Sequence, residues 1–160
     1  MLAEGAIIPI QLFDPHELAE LPPEPRRELV KAAQRFRDGD LSGAISAACG
    51  AVENVTAQIY AAANLGNPGA ASFQERCRKA LTARGVTPAL EQQLSQLGWD
   101  VADITLFRKN FEGALNQGAY VMQSLRSKMG DVHGTKPILK PLVFDCMKWV
   151  ELVVRALVEP

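Results

Sequence analysis

An arginine and a histidine stand seven residues apart in the stretch LRSKMGDVHG, which covers residues 125–134. They are Arg126 and His133, and Gly130 between them predicts that the chain leaves a helix near this point and turns back. Such a turn brings a permanent cation beside a side chain that titrates near neutral pH. Arginine can hold a phosphate, and histidine can transfer the proton of an RNA 2′-OH. The two residues therefore suit RNA phosphodiester chemistry that requires no metal ion.

The same stretch also has a purely structural interpretation. Its glycines suit a turn between two helices, in which His133 hydrogen-bonds to a helix end. Asp131 can hold the His133 ring, or it can accept backbone N–H groups as a cap of the turn, which is the favoured role. Lys128 can contact a phosphate, or it can complement the dipole at the end of its helix. Together with Lys136 and Lys140, it makes this segment locally basic.

Length, charge and cysteine usage restrict the classes of protein to consider. The 160 residues suit one domain that can bury a sizeable core without metal or disulfide bonds. The formal net charge of −1 provides no global field for nucleic acid, so any such binding must be local. The odd number of dispersed cysteines favours neither disulfides nor a zinc site and is typical of a cytoplasmic protein. Neither a signal peptide nor a membrane-spanning stretch is recognised.

Helical periodicity and capping residues predict an all-α bundle without strands. Residues 1–25 are acidic and proline-rich and form a predicted arm, with a short helix after Asp14, packed on a helical domain at 26–160. The expected helices of that domain are 26–37, 41–64, 73–85, 87–97, 101–128 and a last helix that starts at Pro137 or Pro141. Asp40, Ser72 and Asp100 are the predicted N-caps of three of them.

A stripe of small and polar residues follows one side of the predicted helix 41–64. Its members are spaced by three and four residues and are Ser42, Ser46, Cys49, Glu53, Thr56 and Tyr60. This spacing predicts either a close helix–helix contact or a wet cleft. Glu53 is then either a partly exposed member of a salt bridge or a carboxylate that orients Arg126 from behind.

Two segments resemble the abortive-infection C-terminal domain, a family of the HEPN superfamily. They are LRSKMGDVHG, followed by an apolar C-terminal helix, and GDLSGAISAACGAVENVTAQIYAA at residues 39–62. The resemblance covers about residues 38–158. It implies a HEPN-like antiparallel helical bundle, commonly a homodimer in which two Arg/His sets face each other across a cleft. Many such domains are metal-independent ribonucleases of phage-defence or toxin–antitoxin systems.

The resemblance also assigns roles to residues. Arg126 would bind the scissile phosphate and His133 would be the acid and base, with Glu53 and Asp131 supporting them. Three residues near the turn would contact the RNA substrate, namely Ser127, Lys128 and Lys136. No cofactor is expected. An uncontrolled ribonuclease is toxic, so an antitoxin or another defence protein is an expected partner.

Two departures from the superfamily pattern support a second hypothesis. Ser127 stands where superfamily members often carry Asn, Asp or His, and Ala57 stands where they often carry a basic residue. On this hypothesis the chain is a catalytically silent HEPN-like module that binds RNA, a nucleotide or a partner protein.

Overall fold

Seven α-helices and one short 3-10 turn make up the described part of the computed structural model, which covers residues 12–131 and 136–158. The helices are α1 (Pro15–Glu20), α2 (Pro23–Arg37), α3 (Leu41–Ala62), α4 (Phe73–Ala83), α5 (Val86–Gln96), α6 (Val101–Met129) and α7 (Lys140–Val158). These ranges contain no strand, which confirms the predicted all-α class. Within them, no helix combines the length and the apolarity needed to cross a membrane.

The capping residues begin four helices as predicted. Asp14, Asp40 and Asp100 each accept a backbone N–H of the first turn with a side-chain oxygen, to α1, α3 and α6 respectively. Ser72 accepts the N–H of Glu75 at the start of α4. Each of these contacts satisfies a backbone donor that a helix cannot satisfy itself, so the sequence alone fixes these boundaries.

Two helix starts depend on backbone chemistry more than on side-chain capping. Helix α2 starts at Pro23, three residues before the expected Arg26, because proline fits the first turn of a helix. The predicted boundary between arm and domain therefore falls inside the first turn of α2. Helix α5 starts at Val86, directly after Gly85, whose φ of +62° is left-handed. Helix α7 starts at Lys140, beside the expected Pro141.

Helix α3 lies at the centre of the fold and packs against α2, α4, α6 and α7. Its buried side is rich in alanine, so neighbouring helices can approach it closely. Helix α7 buries most of one side in the core. Val143, Met147 and Val154 are buried there, whereas Leu142 and Trp149 are only half-buried.

The described part of the N-terminal arm is attached to α7. Phe13 and Leu21 are buried in the main core. The Arg155 guanidinium lies 3.0 Å from the Glu17 carboxylate, and the Lys148 ammonium lies 5.4 Å from the centre of the Phe13 ring. Apolar burial and ionic contacts thus hold residues 12–21 on the bundle, whereas residues 1–11 of the predicted arm lie outside the described residues.

Candidate functional site where α3, α4 and α6 meet

Arg126 and Glu53 form the central contact of this site. Arg126 lies in the last turn of α6, and its Nη1 contacts Oε1 of Glu53 on α3. The two side chains are 34% and 32% exposed. Burial lowers the pKa of Arg126, but the hydrogen bond and the attraction from Glu53 outweigh it and raise the pKa above its ordinary value. The guanidinium is therefore permanently charged, held in place and still open to solvent.

A second arginine, Arg76 on α4, holds Glu53 from the other side. Its Nη2 donates to the Glu53 backbone carbonyl at 2.7 Å, and its Nε donates to Thr56 Oγ1 at 3.2 Å. Its Nη1 lies 3.9 Å from the Glu53 carboxylate. The Arg76 side chain is only 13% exposed, so these contacts replace most of its hydration. Glu53 is consequently fixed through both its main chain and its side chain.

Asp131 follows the end of α6 and is fixed by α3. Its backbone N–H donates to Ser46 Oγ at 3.2 Å, and the Ser46 hydroxyl donates to its carboxylate. The Arg35 guanidinium of α2 lies 3.6 Å from the other carboxylate oxygen. Among the described residues, Asp131 accepts no backbone N–H. Its carboxylate therefore joins α2 and α3 to the end of α6. The predicted role of Asp131 as a cap of the turn concerns residues 132–135, which lie outside the described residues, and stays a prediction.

Gly130 allows this close approach between the end of α6 and α3. A Cβ at this position would lie 2.5 Å from the Arg126 carbonyl oxygen and 3.2 Å from Ser46 Oγ. Its φ of −68° is accessible to any residue, so the requirement is for space and not for backbone conformation. The glycine thus keeps Ser46 within reach of Asp131.

The chain returns to α6 after the turn, as the sequence predicted. The Lys136 N–H donates to the Lys128 carbonyl at 3.0 Å. Ser127, Lys128 and Lys136 are exposed, and none of them forms an ion pair with another described residue. His133 belongs to residues 132–135, which lie outside the described residues, so its predicted role stays a prediction.

The polar stripe of α3 faces a close helix contact. Three of its members have hydrogen-bond partners on neighbouring elements: Ser46 contacts Asp131 after α6, Glu53 contacts Arg126 on α6, and Thr56 contacts Arg76 on α4. Two more, Cys49 and Tyr60, are buried. A hydrogen bond to Cys146, together with burial, raises the pKa of the Cys49 thiol well above its ordinary value. Burial likewise raises the pKa of the Cys77 thiol to about 12. Both thiols therefore stay protonated at neutral pH and are poor nucleophiles.

Sequence reasoning did not identify Arg35 and Arg76 as parts of this site. A signal for Arg76 exists in the sequence, because it directly precedes Cys77 on the apolar side of α4 between Phe73 and Ala80. An arginine at the edge of a buried face needs a polar partner, and the α3 stripe offers one. Arg35 has no such signal, since its contact with Asp131 depends on how α2 and α6 lie relative to each other.

No known protein family, curated protein or solved structure matches this chain. Within residues 12–131 and 136–158, no cluster of three or more His, Cys, Asp or Glu side chains is arranged to hold a metal ion. The description of the site therefore depends on its contacts alone. Arg126 is open to solvent, and Glu53 holds it from behind. Hydrogen bonds fix Asp131 and Lys136, which lie on either side of residues 132–135.

Proposed function

We propose that this protein is a metal-independent endoribonuclease of the HEPN type, which cleaves RNA through its 2′-OH. The observation that carries the proposal is the contact between Arg126 and Glu53. It holds a charged guanidinium, about one third exposed, within four residues of the turn that contains His133. A phosphate-binding group and a titratable group are therefore close along the chain, and the contacts of Glu53 hold the first of them in place.

Arg126 binds the scissile phosphate in this proposal. A guanidinium has five N–H donors, and Glu53 occupies one of its terminal nitrogens, so further donors are available for phosphate oxygens. Glu53 limits the rotation of the guanidinium, and Arg76 in turn limits the movement of Glu53. Charge that accumulates on the phosphoryl oxygens in the transition state is then stabilised by a cation that needs little reorganisation.

His133 transfers the protons of the reaction. It removes the proton of the 2′-OH, whose oxygen attacks the adjacent phosphorus, or it supplies a proton to the departing 5′ oxygen. The products are a 2′,3′-cyclic phosphate or its 3′-phosphate hydrolysis product, and a 5′-OH end. Asp131, two residues before His133, supports the flank of the turn through Ser46 and Arg35.

The proposal extends to substrate and partners. The exposed side chains of Ser127, Lys128 and Lys136 border the turn and contact the RNA backbone. The protein acts in the cytoplasm as a homodimer, in which the two sites face one cleft. An antitoxin or another defence protein restrains it within a phage-defence or toxin–antitoxin system.

The test is cleavage of a mixed RNA pool by the purified chain in the presence of EDTA. Arg126→Ala and His133→Ala are each expected to lower the cleavage rate by about 100-fold or more, since charge stabilisation in the transition state and acid–base catalysis each contribute about this much. Arg37→Ala and His16→Ala are matched controls, because Arg37 is 75% exposed and pairs with the adjacent Asp38, and His16 is exposed on α1. Equal rates for all five proteins, or a requirement for metal, would refute the proposal.

The second candidate is a HEPN-like module that binds RNA, a nucleotide or a partner protein without cleaving it. Ser127 and Ala57, which depart from the superfamily pattern, favour this candidate. On this hypothesis the RNA stays intact in the cleavage assay. The protein binds RNA with an affinity that Arg126→Ala lowers and Arg37→Ala leaves unchanged.

A further inference from the structure

A cavity of about 550 Å³ lies between α4, α5 and α6, apart from the site described above. Its floor is formed by apolar side chains, among them Cys77, Leu81 and Leu115. Ligand sites for small molecules typically occupy about 300–1,000 Å³ and combine an apolar floor with a few polar groups. The cavity has the size and the lining of such a site.

Gly113 opens one wall of this cavity. It lies in the interior of α6, and a Cβ at this position would have no atom within 4 Å. A glycine inside a helix costs about 0.5–1 kcal/mol relative to alanine. No packing contact in the described residues requires its small size, in contrast to Gly118 and Gly130 on the same helix or at its end. The space that it leaves belongs to the cavity.

The rim of the cavity carries a net positive charge. Arg78 and Lys109 stand on it with the single anion Glu112, and none of the three forms an ion pair among the described residues. The N-terminus of α5 also lines the cavity through Thr87 and Pro88, and no side chain caps that terminus. Its helix dipole adds partial positive charge on the same side.

We propose that this cavity binds a small organic monoanion with an apolar body. The apolar part rests on Leu81 and Leu115 in the space beside Gly113, and the anionic group meets Arg78, Lys109 and the N-terminus of α5. This binding site is separate from the Arg126 site, and the proposal does not depend on ribonuclease activity.

The experiment titrates the full chain with 2-naphthoate and, in parallel, with its neutral analogue 2-naphthamide. Binding is followed by amide chemical shifts in 1H–15N spectra, which also report where the probe binds. Because bonds to charged groups are stronger than neutral ones, 2-naphthoate is expected to bind about tenfold more tightly than 2-naphthamide. The shifts should be largest at residues 81–88 and 109–116.

Two sets of variants separate the contributions of space and charge. Gly113→Leu fills the cavity and should weaken binding of both probes by about tenfold or more, while its helix propensity favours folding. The double variant Arg78→Gln with Lys109→Gln should remove the preference for 2-naphthoate and leave 2-naphthamide unaffected. Lys31→Gln on α2, far from the cavity in the chain, is the control and should change neither affinity.

Three results would overturn the proposal. The first is a set of saturable chemical-shift changes located elsewhere, for example at the exposed Trp99 and Phe107. The second is equal affinity for the two probes, and the third is an affinity that Gly113→Leu leaves unchanged. The double charge variant decides the question by itself if Gly113→Leu does not fold.

Discussion

The guanidinium of Arg126 and the carboxylate of Glu53 are in contact although 73 residues separate them in the sequence. The contact joins the C-terminal turn of α6 to the middle of α3. Both side chains are about one third exposed. Solvent therefore screens this ion pair less than a surface pair and more than a fully buried one. It is therefore both a stabilising contact and a means of positioning the cation.

A double-mutant cycle measures this contact. Glu53→Gln and Arg126→Gln should each lower the free energy of unfolding, with a coupling free energy of about 1–2 kcal/mol between them. Urea denaturation of the wild type, the two single variants and the double variant gives this number. The exposed pair Lys79 and Glu75 on α4 is the control, for which a smaller coupling is expected because solvent screens it. Strictly additive effects at Glu53 and Arg126 would show that their contact contributes nothing.

Two glycines, Gly113 inside α6 and Gly130 directly after it, should respond to replacement by alanine in opposite directions. Gly130→Ala forces a Cβ against the Arg126 carbonyl and Ser46 and should cost about 1–3 kcal/mol of unfolding free energy. Gly113→Ala places its methyl group in open space and should gain about 0.5–1 kcal/mol through helix propensity. Thermal unfolding of both variants measures the difference, and a Gly130→Ala protein as stable as wild type would contradict the close approach of α3.

The packing of α6 against α7 depends on the contact between Gly118 and Trp149. A Cβ at Gly118 would overlap with the Trp149 indole ring. Gly118→Ala should therefore lower the free energy of unfolding by about 1–3 kcal/mol. In a Trp149→Leu background the same change should cost less than half as much, because the ring has been removed. An equal cost in both backgrounds would mean that another contact causes the destabilisation.

Glu151 should make stability depend on pH. Its residue is 7% exposed on α7, and burial raises the pKa of its carboxyl above the ordinary value. The positive charges of Lys148 and Arg155 lower this pKa in part, and a hydrogen bond with Glu17 raises it further. The folded state thus binds the proton more tightly than the unfolded state. The stabilisation is complete below the ordinary pKa of glutamate and is lost as pH rises through the raised value.

Glu151→Gln tests this dependence. The variant should be more stable than wild type at pH 7 and equally stable near pH 4, measured by denaturant unfolding. Glu75→Gln is a control of opposite sign, because the hydrogen bond and charge of Lys79 lower the pKa of Glu75. That variant should lose stability at pH 7. A constant difference between Glu151→Gln and wild type at all pH values would contradict the account.

Local chemistry allowed much of the fold to be predicted from the sequence. Asp40 and Asp100 each satisfy a backbone donor within three residues, so α3 and α6 begin where capping predicts. Two contacts of the site could not be derived in this way, namely that of Arg76 with Glu53 and that of Arg35 with Asp131. The Arg76 contact depends on the rotation of α4 about its own axis, and the Arg35 contact depends on where the end of α6 lies relative to α2. Tertiary packing sets both, and periodicity within one helix does not contain that information.

Ribonuclease activity through the RNA 2′-OH is best tested on a defined oligonucleotide in the presence of EDTA. An RNA oligonucleotide that the wild type cuts is compared with the same oligonucleotide carrying one 2′-deoxy sugar on the 5′ side of the mapped scissile phosphate. We expect 2′,3′-cyclic phosphate ends from the first substrate, none at that position from the second, and none from either with His133→Ala. Cleavage of the 2′-deoxy position at an unchanged rate, or no cleavage of any RNA by the wild type, would contradict this expectation.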